Sequence, residues 1–143
     1  MQRGISAFFF LLLVIGGVGS VLGETELQQD ENGNFILYVS NQSPAIDPVD
    51  IKIDIDGKKA VDQDFYVEDG HNWRQFQFSL PKGTHQLRVK SVKGSATLET
   101  EFEIKDKHWA VIDYWYYPEV TGGAGPTPKQ FTFDIKDEPI YFQ

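Results

Sequence analysis

The sequence predicts an all-β fold, an antiparallel β-sandwich of seven or eight strands with an immunoglobulin-like or jelly-roll-like arrangement. Three observations predict it. Short runs alternate apolar and polar side chains, turn-forming residues punctuate them about every 8 to 12 positions, and no stretch shows a helical period. One polar face per run favours antiparallel pairing over a parallel sheet buried on both sides.

Taken in order, the first apolar run is Phe35-Ile36-Leu37-Tyr38-Val39, closed by the turn-rich Asn41-Gln42-Ser43-Pro44. The clearest strand follows. Val49, Ile51, Ile53 and Ile55 alternate with Asp50, Lys52, Asp54 and Asp56, which places the aliphatics on one face and the charges on the other. Asp56-Gly57 is a dipeptide suited to a tight hairpin, and a return strand runs through Ala60 to Val67. Phe76, Phe78 and Leu80 alternate with Gln75, Gln77 and Ser79, up to Pro81-Lys82-Gly83. Leu87 and Val89 alternate with Gln86, Arg88 and Lys90, up to Lys93-Gly94. Ala96, Leu98, Thr100, Phe102 and Ile104 then oppose Thr97, Glu99, Glu101, Glu103 and Lys105. A seventh run spans 108–117 and an eighth spans 131–135. The segment Leu80-Pro81-Lys82-Gly83-Thr84-His85-Gln86-Leu87-Arg88-Val89 resembles a turn-and-strand phrase of bacterial extracellular immunoglobulin-like domains. It marks a hairpin and implies no activity.

Ahead of these strands the chain has a different character. Arg3 is the only charged side chain before Glu24, and it precedes an apolar run from Ile5 to Ile15 that softens into glycines and Ser20. A charged start, a short apolar centre and a small-residue end are the marks of a secretory signal peptide. Residues 1–23 are therefore expected to be a signal peptide, cleaved after Gly23 or, as the runner-up, after Ser20. The rival is an uncleaved anchor. The stretch from Ile5 to Leu22 has 18 residues, the short edge of a membrane span. Either way the rest of the chain is exported, to the periplasm, cell surface or medium. Residues 24–33 are polar and read as a linker, leaving 34–143 as one domain. Glu138-Pro139-Ile140-Tyr141-Phe142-Gln143 loosely resembles a protease-cleavage tag, but Pro139 and Ile140 depart from it. The segment is read as native.

Composition narrows function. The exported part carries 12 basic against 21 acidic side chains, net −9, and the sequence pI is about 4.7, so a nucleic-acid partner is not expected. The absence of cysteine excludes a disulfide framework, a thiolate metal site and a cysteine nucleophile. Acidic outward residues on edge strands disfavour edge pairing and suggest a monomer.

Three groups of residues could carry chemistry. The strongest is the run from Trp109 to Tyr117. On a strand, Trp109, Val111, Asp113, Trp115 and Tyr117 share one face, while Ala110, Ile112, Tyr114 and Tyr116 share the other. Ala110 and Ile112 suit a core, which turns Trp109, Asp113, Trp115 and Tyr117 outward. Exposed rings beside a carboxylate suit a carbohydrate-binding module: rings stack on pyranose faces and the acid takes hydroxyls. The competing reading buries these rings in the core or under the loop at 118–130. The second group is acidic. Asp54-Ile55-Asp56-Gly57 superficially looks like a calcium loop but lies in the alternating strand, so Asp62, Asp64, Glu68 and Asp69 are the better, still weak, calcium candidates. Third, the glycine- and proline-rich 121–129 lacks the phrase and the following helix of a phosphate loop, and reads as a long loop.

Catalytic inventory is thin. His71, His85 and His108 lack zinc-ligand spacing, and the serines lack a nucleophile-elbow context. No cofactor is expected. The resulting expectation is an exported, non-catalytic interaction or accessory domain whose partner is a protein or a glycan. A carbohydrate-binding module is the first alternative. A glycan-active enzyme, with two carboxylates converging in one cleft, is the second.

Overall fold

The computed structural model describes residues 25–68, 73–119 and 125–143. The signal-peptide assignment, Asp69, His71 and residues 121–124 of the glycine-rich loop lie outside them, while the end of that expected loop, 127–129, is already strand. Eight strands form: β1 (Phe35–Asn41), β2 (Val49–Ile55), β3 (Lys58–Phe65), β4 (Arg74–Phe78), β5 (Gly83–Ser91), β6 (Ala96–Ile104), β7 (His108–Tyr117) and β8 (Thr127–Lys136). They build two four-stranded sheets, β4-β1-β7-β8 and β3-β2-β5-β6, packed as a sandwich. Among the described residues there is no helix long and apolar enough to cross a membrane.

Period-two patterning decides which side chains meet between the sheets. Val49, Ile51, Ile53 and Ile55 of β2 are buried, as are Leu87 and Val89 of β5 and Phe102 and Ile104 of β6. Facing them are Phe35, Leu37 and Val39 of β1, Phe78 of β4, and Ala110, Ile112 and Tyr114 of β7. Phe35 and Phe102 stack across the gap at 5.0 Å and 17°. Tyr114 is fully buried, and its hydroxyl donates to the Gly94 carbonyl at 2.8 Å, so its polar end is satisfied inside the core.

The β2–β3 connection takes both central residues to positive φ, Asp56 at 52° and Gly57 at 74°. That is the two-residue turn whose twist matches the strands. Asp56 therefore leaves the charged row of β2 and occupies the corner. At the opposite end Asp50 ties down the β5–β6 turn. Its carboxylate accepts from the Ser91 hydroxyl and from the Val92 and Lys93 N–H groups. Burial alone would raise the Asp50 pKa, but these donors outweigh it and hold it below the ordinary value.

Three features differ from the sequence-based expectation. One ladder is parallel: β1 runs beside β7 from Phe35↔His108 to Asn41↔Tyr114, whereas the other strand pairs are antiparallel. In the other sheet the order is β3-β2-β5-β6, and β7 crosses back from β6 to lie beside β1. Second, residues 25–33 are docked. Leu27, the lone aliphatic of the polar stretch, packs against the core, and its N–H donates to the Lys59 carbonyl at 2.8 Å. Glu26 pairs with Lys59 at 3.1 Å, and the Asp30 N–H reaches the Gln77 carbonyl at 2.9 Å. The stretch thus straps the edge of β3 to the edge of β4 and covers both. Third, the calcium candidates Asp62 and Asp64 lie on the exposed face of β3 opposite Lys52 and Asp50, spread along a strand and not gathered in a loop.

Candidate functional site

The two outward faces of the sandwich differ in chemistry. That of β3-β2-β5-β6 carries Asp50, Lys52, Asp54, Asp62, Asp64, Arg88, Lys90, Glu99, Glu101 and Glu103, with an exposed Arg88–Glu99 pair at 3.2 Å. It is a solvated charged surface. The outward face of β4-β1-β7-β8 is aromatic at its centre.

Register sets the composition of that second face. Across the four strands, one row is Gln77, Ile36, Trp109 and Lys136, and the next is Gln75, Tyr38, Val111 and Asp134. Above them lie Ser40, Asp113 and Thr132, then Trp115 beside Gln130. The central strands β1 and β7 supply rings and aliphatics, while the flanking strands supply amides, a hydroxyl and, on β8, the loosely paired Lys136 and Asp134. Trp109, Asp113 and Trp115 are half-buried and outward, as the alternation predicts, with Ala110, Ile112 and Tyr114 inward. Trp109 and Trp115, six residues apart on one strand, stand roughly 20 Å from each other.

Each of these side chains has a fixed partner. Lys107 Nζ lies 5.5 Å from the Trp109 ring centre. Trp115 Nε1 donates to Thr132 Oγ1 at 2.9 Å. Tyr117 follows a bulge between Trp115 and Tyr117, so it falls out of strict alternation. Its hydroxyl donates to the Gln42 carbonyl at 2.6 Å and its ring lies 6.3 Å from that of Trp115.

Asp113 is the polar hub. Its Oδ1 accepts from Ser40 Oγ at 2.6 Å and from Trp73 Nε1 at 3.0 Å, and Gln42 Nε2 donates to Ser40 Oγ at 2.8 Å. Burial raises the Asp113 pKa above the ordinary carboxylate value, and the two donated hydrogen bonds only partly oppose it. One oxygen of the expected hydroxyl partner is therefore already engaged in holding Trp73 in place.

Trp73 is the residue that the strand pattern missed. It lies just outside β4, where alternation says nothing, yet it brings all three tryptophans of the chain to one face of one sheet. Phe142 stacks on it at 4.1 Å and 17°, and meets Tyr38 edge-on at 5.0 Å and 76°.

The other candidates do not converge. Among the described residues no group of three or more His, Cys, Asp or Glu side chains is placed to hold a metal ion; Asp62, Asp64 and Glu68 lie exposed on or after β3. His108 Nε2 accepts the Lys105 N–H at 3.0 Å and closes the β6–β7 turn. His85 is buried between Asp56 and the Pro81 carbonyl. Both histidines are committed to structure. A recess of about 290 Å³ lined by Pro44, Ala45, Tyr116, Tyr117, Pro118 and Glu119 adjoins the upper end of the aromatic face. No protein-family model, curated protein or solved structure matches the chain.

Proposed function

We propose that this protein is an exported, non-catalytic β-sandwich acting as an interaction or accessory domain, and that it recognises its partner through the outward face of the β4-β1-β7-β8 sheet. The segregation of the two outward faces carries this reading. One face is charged and solvated, whereas the other gathers Trp73, Trp109, Trp115 and Tyr38 at partial exposure. Aromatic side chains concentrated on an exposed face are what recognition surfaces use, since rigid rings give large contact area at low entropic cost. Export rests on Arg3 and the apolar run that follows it. Making residues 9–13 polar is expected to trap the protein inside the cell; unchanged secretion would overturn the export reading.

Glycan is the ligand class favoured by the rim. Gln75, Gln77, Gln130 and Thr132 flank the rings with neutral donors and acceptors, the groups that suit sugar hydroxyls beside a stacked pyranose face. Acrylamide quenching of tryptophan fluorescence, with and without soluble glycans, tests it. A bound glycan should protect the tryptophans, and Trp115→Ala should weaken that binding about five- to thirtyfold, or ~1–2 kcal/mol. Unchanged affinity in the variant would remove Trp115 from the binding face.

A further inference from the structure

The chain after β8 does not leave the domain. From Lys136, paired with Trp109 at one edge of the sheet, it reaches Phe142, which lies against Tyr38 of β1 and Trp73 beside β4. Three inter-strand steps amount to about 14 Å, and six residues span at most about 20 Å, so the segment crosses the aromatic face well extended. Pro139 favours that shape, fixing its own φ and biasing Glu138 to extended backbone.

What fastens this segment is apolar contact, the ring pairs of Phe142 together with the partly buried Ile140. Among the described residues no backbone or side-chain hydrogen bond joins 137–143 to the sheets, and Tyr141 is 85% exposed. Phe142 itself remains 38% exposed while stacked nearly parallel on Trp73. Trp73 in turn is oriented by its hydrogen bond to Asp113, which Ser40 also holds. Tyr38 of β1 and the hydrogen-bonded Trp73 thus form the slot, and Phe142 is held in it through ring contacts.

We infer that the Trp73–Tyr38 slot is a stacking subsite for a neutral sugar ring, and that Phe142 is a tethered surrogate ligand that competes for it. This rests on the glycan reading of the aromatic face. A pyranose ring offers the flat apolar face that Phe142 presents, with hydroxyls at its rim directed towards Gln75 and Asp113. In this arrangement the 137–143 segment sets a threshold: sugar binding at Trp73 must first displace one ring pair, worth about a two- to tenfold factor in affinity.

The test compares the exported protein with its Phe142→Ala variant. Acrylamide quenching is measured alone and during titration with malto-, cello- and xylo-oligosaccharides, with circular dichroism verifying the fold. Phe142→Ala should raise the quenchable tryptophan fraction and tighten binding of the oligosaccharide that binds wild type about two- to tenfold. Phe142→Tyr should restore both to wild-type values. Equal affinity in wild type and Phe142→Ala, with binding intact, would overturn the competition and leave the glycan face standing. Binding of no oligosaccharide by either protein would overturn the glycan reading and this inference with it. Weaker binding in Phe142→Ala would make Phe142 part of the site and overturn its role as competitor.

Discussion

Replacing Asp56 with Asn tests whether His85 is held in the fold as an imidazolium. The ring is 5% exposed, with Nδ1 2.6 Å from Asp56 Oδ2 and Nε2 2.7 Å from the Pro81 carbonyl oxygen. Two acceptors require two N–H donors, and a neutral imidazole has one. Stacking on Phe102 at 5.5 Å, which itself stacks on Phe35, prevents the ring from turning away. Burial alone would lower the His85 pKa, but Asp56 and Pro81 outweigh it and raise it above 6.5. Its stabilisation is therefore complete below pH 6.5 and is lost as pH rises through the folded value. Asp56 behaves oppositely. Burial would raise its pKa, yet the Gln86 N–H and His85 pull it below 3.8, so its contribution is present above that value and lost as pH falls through the folded one. Both act at full strength between 3.8 and 6.5. A charge-assisted hydrogen bond contributes about 1.5–3 kcal/mol; because the Asp56 side chain is 42% exposed, solvent screening discounts this to ~1–1.5 kcal/mol. Asn tolerates the 52° φ of this corner, and its side-chain oxygen can still accept the Gln86 N–H. Asp56→Asn should thus lower Tm by roughly 3–8 °C at pH 6. The difference should shrink as pH rises through the folded His85 value. Thermal unfolding by circular dichroism from pH 5 to 9 measures it. A deficit that stays constant with pH, or none at pH 6, would show that His85 is neutral in the fold.

Asp113→Asn should keep the acceptor for Ser40 and Trp73 while removing a carboxylate that burial disfavours. Because the folded pKa of Asp113 is raised, wild-type stability from this group is present below pH 3.8 and falls as pH rises through the folded value. The variant should match or exceed wild type in urea unfolding at pH 7; a loss above about 1 kcal/mol would refute the sign. Gly33→Ala would drive a Cβ into the Phe78 carbonyl, lifting the 25–33 strap from β4. A cost of about 1–3 kcal/mol and lost amide-exchange protection at Asp30 are expected, and retained protection would mean that the strap is not seated. Ile53→Ala, at the fully buried centre of β2, should cost about 2–5 kcal/mol by denaturant titration, and a loss below 1 kcal/mol would place Ile53 outside the core.

Most of the strand plan is legible because burial imposes period two directly. Val49 to Ile55 and Ala96 to Ile104 declare their inner faces residue by residue, and Asp56-Gly57 declares the turn between β2 and β3. The docking of 25–33 is not legible. Its cause is one leucine and a few backbone hydrogen bonds to the β3 and β4 edges, and neither leaves a periodic trace in a polar stretch. The parallel β1–β7 ladder is hidden for a related reason. β1 is buried on both sides, with outward Ile36 and Ser40 at 4% and 1% exposure, so its run carries no alternation from which orientation could be read.

That same ladder explains why the candidate site is half legible. Trp109, Asp113 and Trp115 belong to one strand, and their common face follows from spacing alone. Tyr38, Trp73 and Phe142 join them only because β1 is inserted between β4 and β7, and strand order is a non-local choice made by packing of the whole core. Were β1 not paired with β7, Tyr38 would have no Val111 beside it and Ser40 no Asp113. The Trp73–Asp113 hydrogen bond is therefore a consequence of topology. The face it completes is also where a half-buried acid, three tryptophans and the partly exposed Phe142 ring meet. A sandwich needing this sheet only for stability could shield its outward side with charges, as β3-β2-β5-β6 does. That its centre carries rings, with Lys136 and Asp134 confined to the β8 flank, is the physical ground for treating it as the working surface.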